Sequence, residues 1–188
     1  MSEQHETGPM RGGEVTVDEM SIDLSQHLLE TMRSAYRRQR MLAERALAQL
    51  LPGDWHVRLD PESNSVAIIV RHMAGNMHSR WTDFLVSDGE KAERDREGEF
   101  RPGEQTPEVL TEAWDDGWDV TLATLDALEP DDLLRVVAIR GQPLSVAEAL
   151  VRQLDHYGQH VGQIIFLAKH LRGATWRSLS IPTAPREG

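Results

Sequence analysis

Residues 146–171 read VAEALVRQLDHYGQHVGQIIFLAKHL, and their apolar side chains recur at steps of three and four residues. This period places the apolar side chains on one face of an α-helix. Ser145 and Glu148 have the spacing of a capping box, which predicts where the helix begins. Gly173 stands where the helix is expected to end. The stretch therefore predicts a long amphipathic helix.

Three stretches upstream have the same apolar period. The first covers residues 22–51 and is ended by Pro52 and Gly53. The second covers residues 63–84, with Ser63 or Asn64 as N-cap. The third covers residues 106–130; it begins with Thr106, Pro107 and Glu108 and is ended by Pro130. Each stretch predicts one helix, so the chain has four in all. A short extended segment over residues 133–139 precedes the fourth helix, and residues 140–142 form a turn.

Four long helices with almost no strand predict an all-α fold, a four-helix bundle. The polar link between the second and third helices has roughly 19 residues and could reach about 60 Å. This long crossover allows those two helices to run parallel, whereas the other links favour antiparallel neighbours. We therefore expect up-down-down-up topology, with a flexible leader at 1–20, the bundle at 21–173 and a tail at 174–188 that packs on the bundle or trails from it.

The chain has 188 residues, with 20 Lys plus Arg, 31 Asp plus Glu, 8 His and no Cys. The lack of cysteine excludes disulfides, thiolate metal sites and a Cys nucleophile. The formal charge of −11 argues against a nucleic-acid partner, because that affinity depends on Lys and Arg. We see neither a secretory signal nor an apolar run of the roughly 20 residues that cross a bilayer. A cytoplasmic protein without membrane contact is the expectation.

His156 and His160 are four residues apart in the fourth helix, a spacing at which two imidazoles can converge on one metal ion. Chance alone gives roughly 0.3 such pairs in a chain of this composition, so the spacing needs support. Support comes from position, because both residues adjoin the apolar stripe that includes Tyr157. His72 adjoins the apolar stripe of the second helix at a similar depth. Histidines bonded within the core are the alternative, and spacing does not decide between the two.

Three neutral His ligands would leave a coordination position open, as in catalytic metal sites. Zinc or nickel suits imidazole, and the reactive group would be a metal-bound water or thiolate, since no side chain is identified as the nucleophile. Asn76, one turn after His72, and Gln163, three residues after His160, would face the same region and bond these rings or a substrate, and Tyr157 is a third candidate for such a contact. The general base is open, with Asp155, Tyr157 and Asp83 as guesses.

Other conspicuous residues have simpler interpretations. His78 and His170 lie on other faces of their helices and are predicted to be surface residues. Trp81, Trp114 and Trp118 have helical spacing and are predicted core residues. The run EKAERDREGEF, residues 90–100, is predicted to be a solvated charge run, with the alternative that Arg94 and Arg96 border an anionic substrate.

Five blocks of the sequence together resemble the DinB-like superfamily of four-helix metalloproteins, in a branch known mainly as a domain of unknown function. The blocks are SNSVAIIVRHMAGNMHSRWTDFLVSDGEK at 63–91, RDREGEF at 94–100, IRG at 139–141, RQLDHYGQHVGQIIFLAKHL at 152–171 and WRSLSIP at 176–182. The resemblance implies an up-down-down-up bundle, a metal site at His72, His156 and His160, and a homodimer. Better-studied relatives are transferases that use low-molecular-weight thiols such as bacillithiol or mycothiol, and an isomerase that uses mycothiol.

These observations together predict a metal-dependent enzyme that acts on a small-molecule substrate. Thiol S-transferase chemistry on small electrophiles is the first hypothesis, with a low-molecular-weight thiol as cosubstrate. A non-catalytic, metal-stabilised bundle that binds a ligand or acts in a stress response is the second. A metal-dependent hydrolase is the third, and only the transferase needs a thiol.

Overall fold

A computed structural model of the chain describes the backbone of residues 17–180 and the side chains from residue 24 onward within that range. This part of the chain is mostly helical, with one small antiparallel sheet, which confirms the helical class that the apolar periods predict. The elements are α1 (Val17–Leu47), α2 (Val66–Trp81), α3 (Arg96–Glu99), α4 (Pro107–Ala127), β1 (Val136–Ile139), β2 (Gln142–Ser145) and α5 (Val146–Arg172). No helix in residues 17–180 combines the length and apolar character that crossing a membrane requires.

Helix α5 begins where the sequence predicts, because the capping box forms. The N–H of Glu148 donates to the Ser145 hydroxyl over 3.2 Å, and the N–H of Ser145 donates to the Glu148 carboxylate over 2.7 Å. These bonds satisfy donors that a helix N-terminus otherwise leaves free. At the other end, Gly173 has a φ of 49°, a backbone conformation that favours glycine, and it ends the helix.

Two helices have bounds that differ from the predicted ones. Helix α1 begins at Val17, inside the predicted leader, and ends at Leu47, before the predicted stop at Pro52. Helix α2 is capped by Ser65, one or two residues later than predicted. It ends at Trp81 because the next residue is extended and Asp83 has a φ of 51°. Residues 1–16 of the leader and 181–188 of the tail lie outside the described residues.

The segment before α5 forms a β-hairpin. Strand β1 occupies the second half of the predicted extended segment, and Pro130–Leu134 forms a 3₁₀ turn before it. Strand β2 was not predicted, since it is short and contains Pro143. Arg140 and Gly141 connect the strands with φ angles of 56° and 69°, as a two-residue turn between twisted antiparallel strands requires.

The core lies between the four long helices. Helix α2 packs mainly on α4, and α1 packs mainly on α5. Trp81, Trp114 and Trp118 are buried there, which confirms their predicted core position. Tyr157 is also fully buried, and its hydroxyl accepts a hydrogen bond from the Trp81 indole over 2.9 Å.

The described part of the C-terminal tail contacts the end of α1. Trp176 and Leu179 pack against the core, and the N–H of Arg177 donates to the side chain of Gln49 over 2.7 Å. The chain after α5 is therefore anchored to the helical layer as far as residue 180.

Candidate metal centre

Three histidines from two helices meet beside the core. His72 lies on α2, whereas His156 and His160 lie one turn apart on α5. The Nε2 atom of His156 is 3.3 Å from that of His72 and 3.1 Å from that of His160. One ligand atom from each of the three lies within 4.8 Å of the others, so these residues could hold a metal ion.

The distances between these Nε2 atoms suit a shared cation. Metal–nitrogen bonds of about 2.0–2.1 Å place neighbouring ligand atoms about 3.3 Å apart in a tetrahedron and about 2.9 Å apart in an octahedron. The observed separations of 3.1 and 3.3 Å fall in this range. The two separations that involve His156 are thus compatible with a shared divalent ion, and the His72 and His160 ligand atoms lie within 4.8 Å of each other.

Hydrogen bonds at Nδ1 set the tautomers of two rings. His72 Nδ1 is 2.8 Å from Glu99 Oε2, and His160 Nδ1 is 2.9 Å from Gln163 Oε1. Because both partners are oxygen acceptors, the two Nδ1 atoms carry the hydrogen. In the neutral rings the Nε2 lone pairs are then free and point toward His156. A cation at this point would satisfy both lone pairs, and a hydrogen on His156 Nε2 could satisfy one of them at a time.

His156 is bonded through a pair of side-chain amides. Its Nδ1 is 3.0 Å from the amide of Gln153, which in turn bonds the buried amide of Asn76. As placed, the Gln153 amide nitrogen donates to Asn76 and to Nδ1, which leaves the hydrogen of His156 on Nε2; with both amides turned over, the Gln153 oxygen accepts from Nδ1 and Nε2 is free. Burial, followed by the proximity of His160 and His72, lowers the pKa of His156 to about 3. The ring is therefore neutral at ordinary pH, as a metal ligand must be.

Glu99 is held between His72 and Arg94. The Arg94 guanidinium donates to both carboxylate oxygens, with Nε to Oε1 and NH2 to Oε2 each at 2.7 Å. Burial raises the pKa of Glu99, but the bonds from His72 and Arg94 outweigh burial and lower it overall. Glu99 is thus an anion beneath a potential metal ligand. Such carboxylate–histidine pairs orient the ring and raise its basicity toward a metal.

The backbone around Glu99 is fixed by polar contacts from the link and from α2. Asp95 caps α3 by accepting from the N–H of Gly98, and Arg71 donates to the carbonyl of Glu99 over 2.9 Å. The prediction that residues 90–100 form a solvated charge run is therefore wrong for Arg94 and Glu99. Their side chains are buried because they neutralise each other at the site.

The family comparison covers this whole arrangement. The model of a protein family described as "Protein of unknown function (DUF1572)" matches residues 23–185 of the chain. The chain belongs to this family. A comparison with curated proteins finds none that matches. The DUF1572 match includes α2, α5 and the link that carries Glu99, so every group of the site lies within the family region.

Two cavities of this DUF1572 chain share Arg94 in their walls. One has about 190 Å³ and is lined by His72, His156 and several arginines. The other has about 570 Å³, lies between α2 and α4, and is lined by Glu99, Arg94 and Leu110 among others. The larger cavity is lined by none of the three histidines, so the smaller one is the space beside the candidate centre.

The remaining predicted residues differ in their relation to the centre. Asn76 and Gln163 lie in the bonded network described above. Tyr157 packs against the His156 ring with 5.7 Å between ring centroids, and burial raises the pKa of its hydroxyl. Asp155 is exposed and accepts from Gln159, and Asp83 is exposed at the end of α2. His78 and His170 are exposed, as predicted.

Glu99 and Gln153 were missed in the sequence. Gln153 lies three residues before His156, the mirror image of the three-residue step from His160 to Gln163, so the same helical rule could have found it. Glu99 lies in a link without periodicity. The available signal was a carboxylate within RDREGEF, a block already singled out, combined with the rule that metal-binding histidines bond a carboxylate.

Proposed function

We propose that this DUF1572 chain is a metal-dependent enzyme of the DinB-like superfamily, a thiol S-transferase acting on small electrophiles. The observation that carries the proposal is the convergence of three Nε2 atoms, from His72, His156 and His160, whose rings are each bonded at Nδ1. A divalent ion bound there, with zinc or nickel as our choice, lowers the pKa of a thiol or water at its open position.

The up-down-down-up bundle of that superfamily is part of the proposal. The order in which contacting residues follow one another along each pair of helices supports it. The contacts are Arg33–Leu128 and Arg40–Asp115 for α1 with α4; Tyr36–Leu150 and Gln49–Arg177 for α1 with α5 and the tail after it; Arg71–Gln105 and Trp81–Thr124 for α2 with α4; and His72–His156 and Asn76–Gln153 for α2 with α5. For α1 with α4 and for α2 with α5, residue numbers rise along one helix as they fall along the other, which indicates antiparallel helices. For α1 with α5 and for α2 with α4, residue numbers rise together, which indicates parallel helices.

The protein's own residues would hold and orient the reacting groups. Glu99 keeps the hydrogen of His72 on Nδ1, and Gln163 does the same for His160, so both Nε2 atoms remain ligands. The chain has no cysteine, so the thiol comes from a low-molecular-weight cosubstrate. In the transfer the thiol loses its proton to solvent water, its sulfur forms a bond to carbon, and a group such as chloride leaves with its bonding electrons.

The test measures thiol-dependent conversion of an electrophile. The metal-loaded protein is mixed with bacillithiol or mycothiol and 1-chloro-2,4-dinitrobenzene, and the thioether is followed by absorbance. We expect turnover that needs both the thiol and the metal and is lost in His160→Ala. The matched control is His78→Ala, which removes an exposed histidine from α2 and should keep full activity. Equal rates in wild type and His160→Ala would refute a role for the centre in the reaction.

A non-catalytic, metal-stabilised bundle is the second candidate, and the size of the cavity favours it. The space beside His72 and His156 has about 190 Å³, which is small beside the roughly 300–1,000 Å³ of most ligand pockets. This candidate predicts that metal raises the melting temperature without any turnover over a wide panel of electrophiles. A metal-dependent hydrolase, the third candidate, would show turnover when the thiol is omitted.

The proposed partners are a small-molecule substrate and a second copy of the chain. A homodimer would sediment at twice the chain mass of 21.2 kDa. Sedimentation equilibrium of the untagged protein checks this, and a mass of one chain at all concentrations would contradict it.

A further inference from the structure

Five arginines surround the cavity beside the three-histidine group. The cavity has about 190 Å³, and its polar wall includes His72 and His156. The arginines that line it are Arg80, Arg94, Arg96, Arg140 and Arg152. They come from α2, the link before α3, α3 itself, the hairpin turn and α5, so the fold brings them together from five parts of the chain. A cationic pocket stands out in a chain whose formal charge is −11.

Arg80 is buried without enough partners. Only 5% of the residue is exposed, and among the described residues neither Nε nor NH1 has a hydrogen-bond partner. NH2 is 3.9 Å from Glu90, too far for a hydrogen bond. A buried guanidinium with free N–H groups costs free energy unless another group satisfies it. Arg80 lines the cavity, and its NH2, which is not enclosed and has no hydrogen bond among the described residues, is the donor left for a bound anion.

The remaining charges leave the cavity with excess positive charge. Arg94 is paired with Glu99, and Arg140 is 3.3 Å from Glu90, which also lies near Arg94 and Arg80. Asp88, which bonds the turn of Arg140, is a third carboxylate near Arg80. Three carboxylates therefore face five arginines, and 5 − 3 leaves two positive charges in excess. Glu99 also accepts a hydrogen bond from His72, so its carboxylate is shared and the cavity keeps an excess of positive charge at neutral pH.

The hairpin turn that carries Arg140 is fixed against the pocket. Asp88 accepts from the backbone N–H groups of Arg140 and Gly141 over 2.8 and 2.7 Å. This pair of bonds holds Arg140 at a positive φ, which a residue with a side chain seldom adopts. Gly89 lies against Arg80, and a Cβ there would come within 2.7 Å of NH1. The chain thus leaves room for the guanidinium and pins the turn beside it.

We propose that this arginine cavity binds the anionic group, a carboxylate or phosphate, of the small molecule on which the histidine centre acts. Guanidinium groups match both anions, because their N–H donors can bond two oxygens at once. His72 and His156 line the same cavity, so a molecule whose anionic group is held there lies against two of the three histidines. The proposal rests on the proposed function only in naming the bound molecule as substrate, since anion binding itself needs no metal.

Calorimetric titration of the full chain with inorganic phosphate and with succinate tests the proposal. Phosphate also ligates metal ions, so the titrations use chelator-treated protein and, separately, His160→Ala, whose changed residue does not line the cavity. We expect both anions to bind and uncharged succinamide not to bind. The tighter of the two anions identifies the class of substrate group.

Two variants assign the binding to the cavity. Arg80→Met removes the buried guanidinium and should weaken anion binding by about tenfold or more. Arg152→Gln changes an exposed residue of the lining and should weaken binding severalfold, so it decides the matter if Arg80→Met does not fold. The control is Arg38→Gln, which removes the same charge from an exposed position on α1 and should leave binding unchanged.

Two results would overturn the proposal: no binding of either anion, or equal binding by wild type, Arg80→Met and Arg152→Gln. Failure of the proposed function has a different signature. If the protein binds phosphate through the arginines but shows neither metal binding nor turnover, the anion site stands and the enzyme proposal falls.

Discussion

In each histidine of the candidate centre, the group that bonds Nδ1 sets the orientation of the ring and the basicity of Nε2. Glu99 bonds His72, and glutamines bond His156 and His160. A charged acceptor supports a ligand more strongly than an amide does, because it favours the ring form that donates from Nδ1 and makes Nε2 more basic. Glu99 is therefore the residue whose change should most affect the centre without removing a ligand.

Replacement of Glu99 by Gln should weaken metal binding about 10- to 100-fold, the usual effect of losing such a carboxylate. Competition of the protein with a chromophoric chelator for zinc measures the change. Glu97→Gln is the matched control, since Glu97 is exposed on the same short helix and should keep wild-type affinity. An unchanged affinity in Glu99→Gln would mean that this carboxylate does not support a ligand.

Acid should destabilise the metal-free protein through His156. Burial and the neighbouring histidines lower its pKa to about 3 in the folded state, against about 6.5 for an unperturbed imidazole. Between these values the unfolded chain binds more protons, so stability falls as pH falls from about 6.5 toward 3. Burial also lowers the pKa of His160, which adds to the effect.

Denaturant midpoints of chelator-treated protein between pH 7.5 and 4.5 measure this loss. His156→Gln should show a weaker dependence on pH than wild type, whereas His78→Gln, at an exposed position, should match wild type. If wild type and His156→Gln lose stability in parallel, His156 is not held neutral by its surroundings.

Helical periodicity made part of the centre predictable and left part of it hidden. His72, His156, His160, Asn76 and Gln163 could be proposed because each lies at a regular step on a helix with a clear apolar face. Glu99 could not be placed this way. Its position depends on a cap, on contacts from α2 and on an ion pair with a residue of the link, and these are tertiary interactions without a sequence period.

At the scale of elements, α2 approaches the link closely because Gly75 has no side chain. A Cβ at position 75 would overlap the Glu99 carboxylate, with Cδ only 2.9 Å away. Glycine inside a helix costs about 1 kcal/mol relative to alanine. In return, the missing side chain leaves room for the Glu99 carboxylate beside His72.

Gly75→Ala should displace Glu99 and so weaken zinc binding, even though alanine favours the helix. Because both changes disturb the same contact, Gly75→Ala combined with Glu99→Gln should weaken binding by less than the product of the single effects. Gly162→Ala on α5 is the control, since nothing lies within 4 Å of the added Cβ and affinity should not change. If the loss of zinc affinity in the double variant equals the product of the two single losses, Gly75 and Glu99 do not act through the same contact.

The elements themselves were predictable to different degrees. Helices α4 and α5 begin at or within one residue of the predicted start, because Pro107 and the Ser145 capping box are strong local signals. Strand β2 and α3 were not predicted. Each has four residues, too few for a period, and each is stabilised by partners elsewhere: β2 by β1, and α3 by α2.

For the whole molecule, a metal ion that joins α2 to α5 should stabilise the fold. An ion that binds only the folded chain raises the free energy of unfolding by about 2.7 kcal/mol at a free concentration of 100 Kd. For a chain of this size the melting temperature should rise by roughly 5 to 10 °C. Differential scanning calorimetry with and without zinc measures the rise. No rise in wild type, or the same rise in His160→Ala, would contradict a site between these helices.

Metal content tests the central claim most directly. The untagged protein, its His160→Ala variant and its His78→Ala variant are purified from metal-replete cells and analysed by inductively coupled plasma mass spectrometry. We predict about one divalent ion per chain in wild type and in His78→Ala, as one three-histidine centre requires, and background levels in His160→Ala. Background levels in all three proteins, or equal content in wild type and His160→Ala, would contradict the claim that His72, His156 and His160 bind a metal ion.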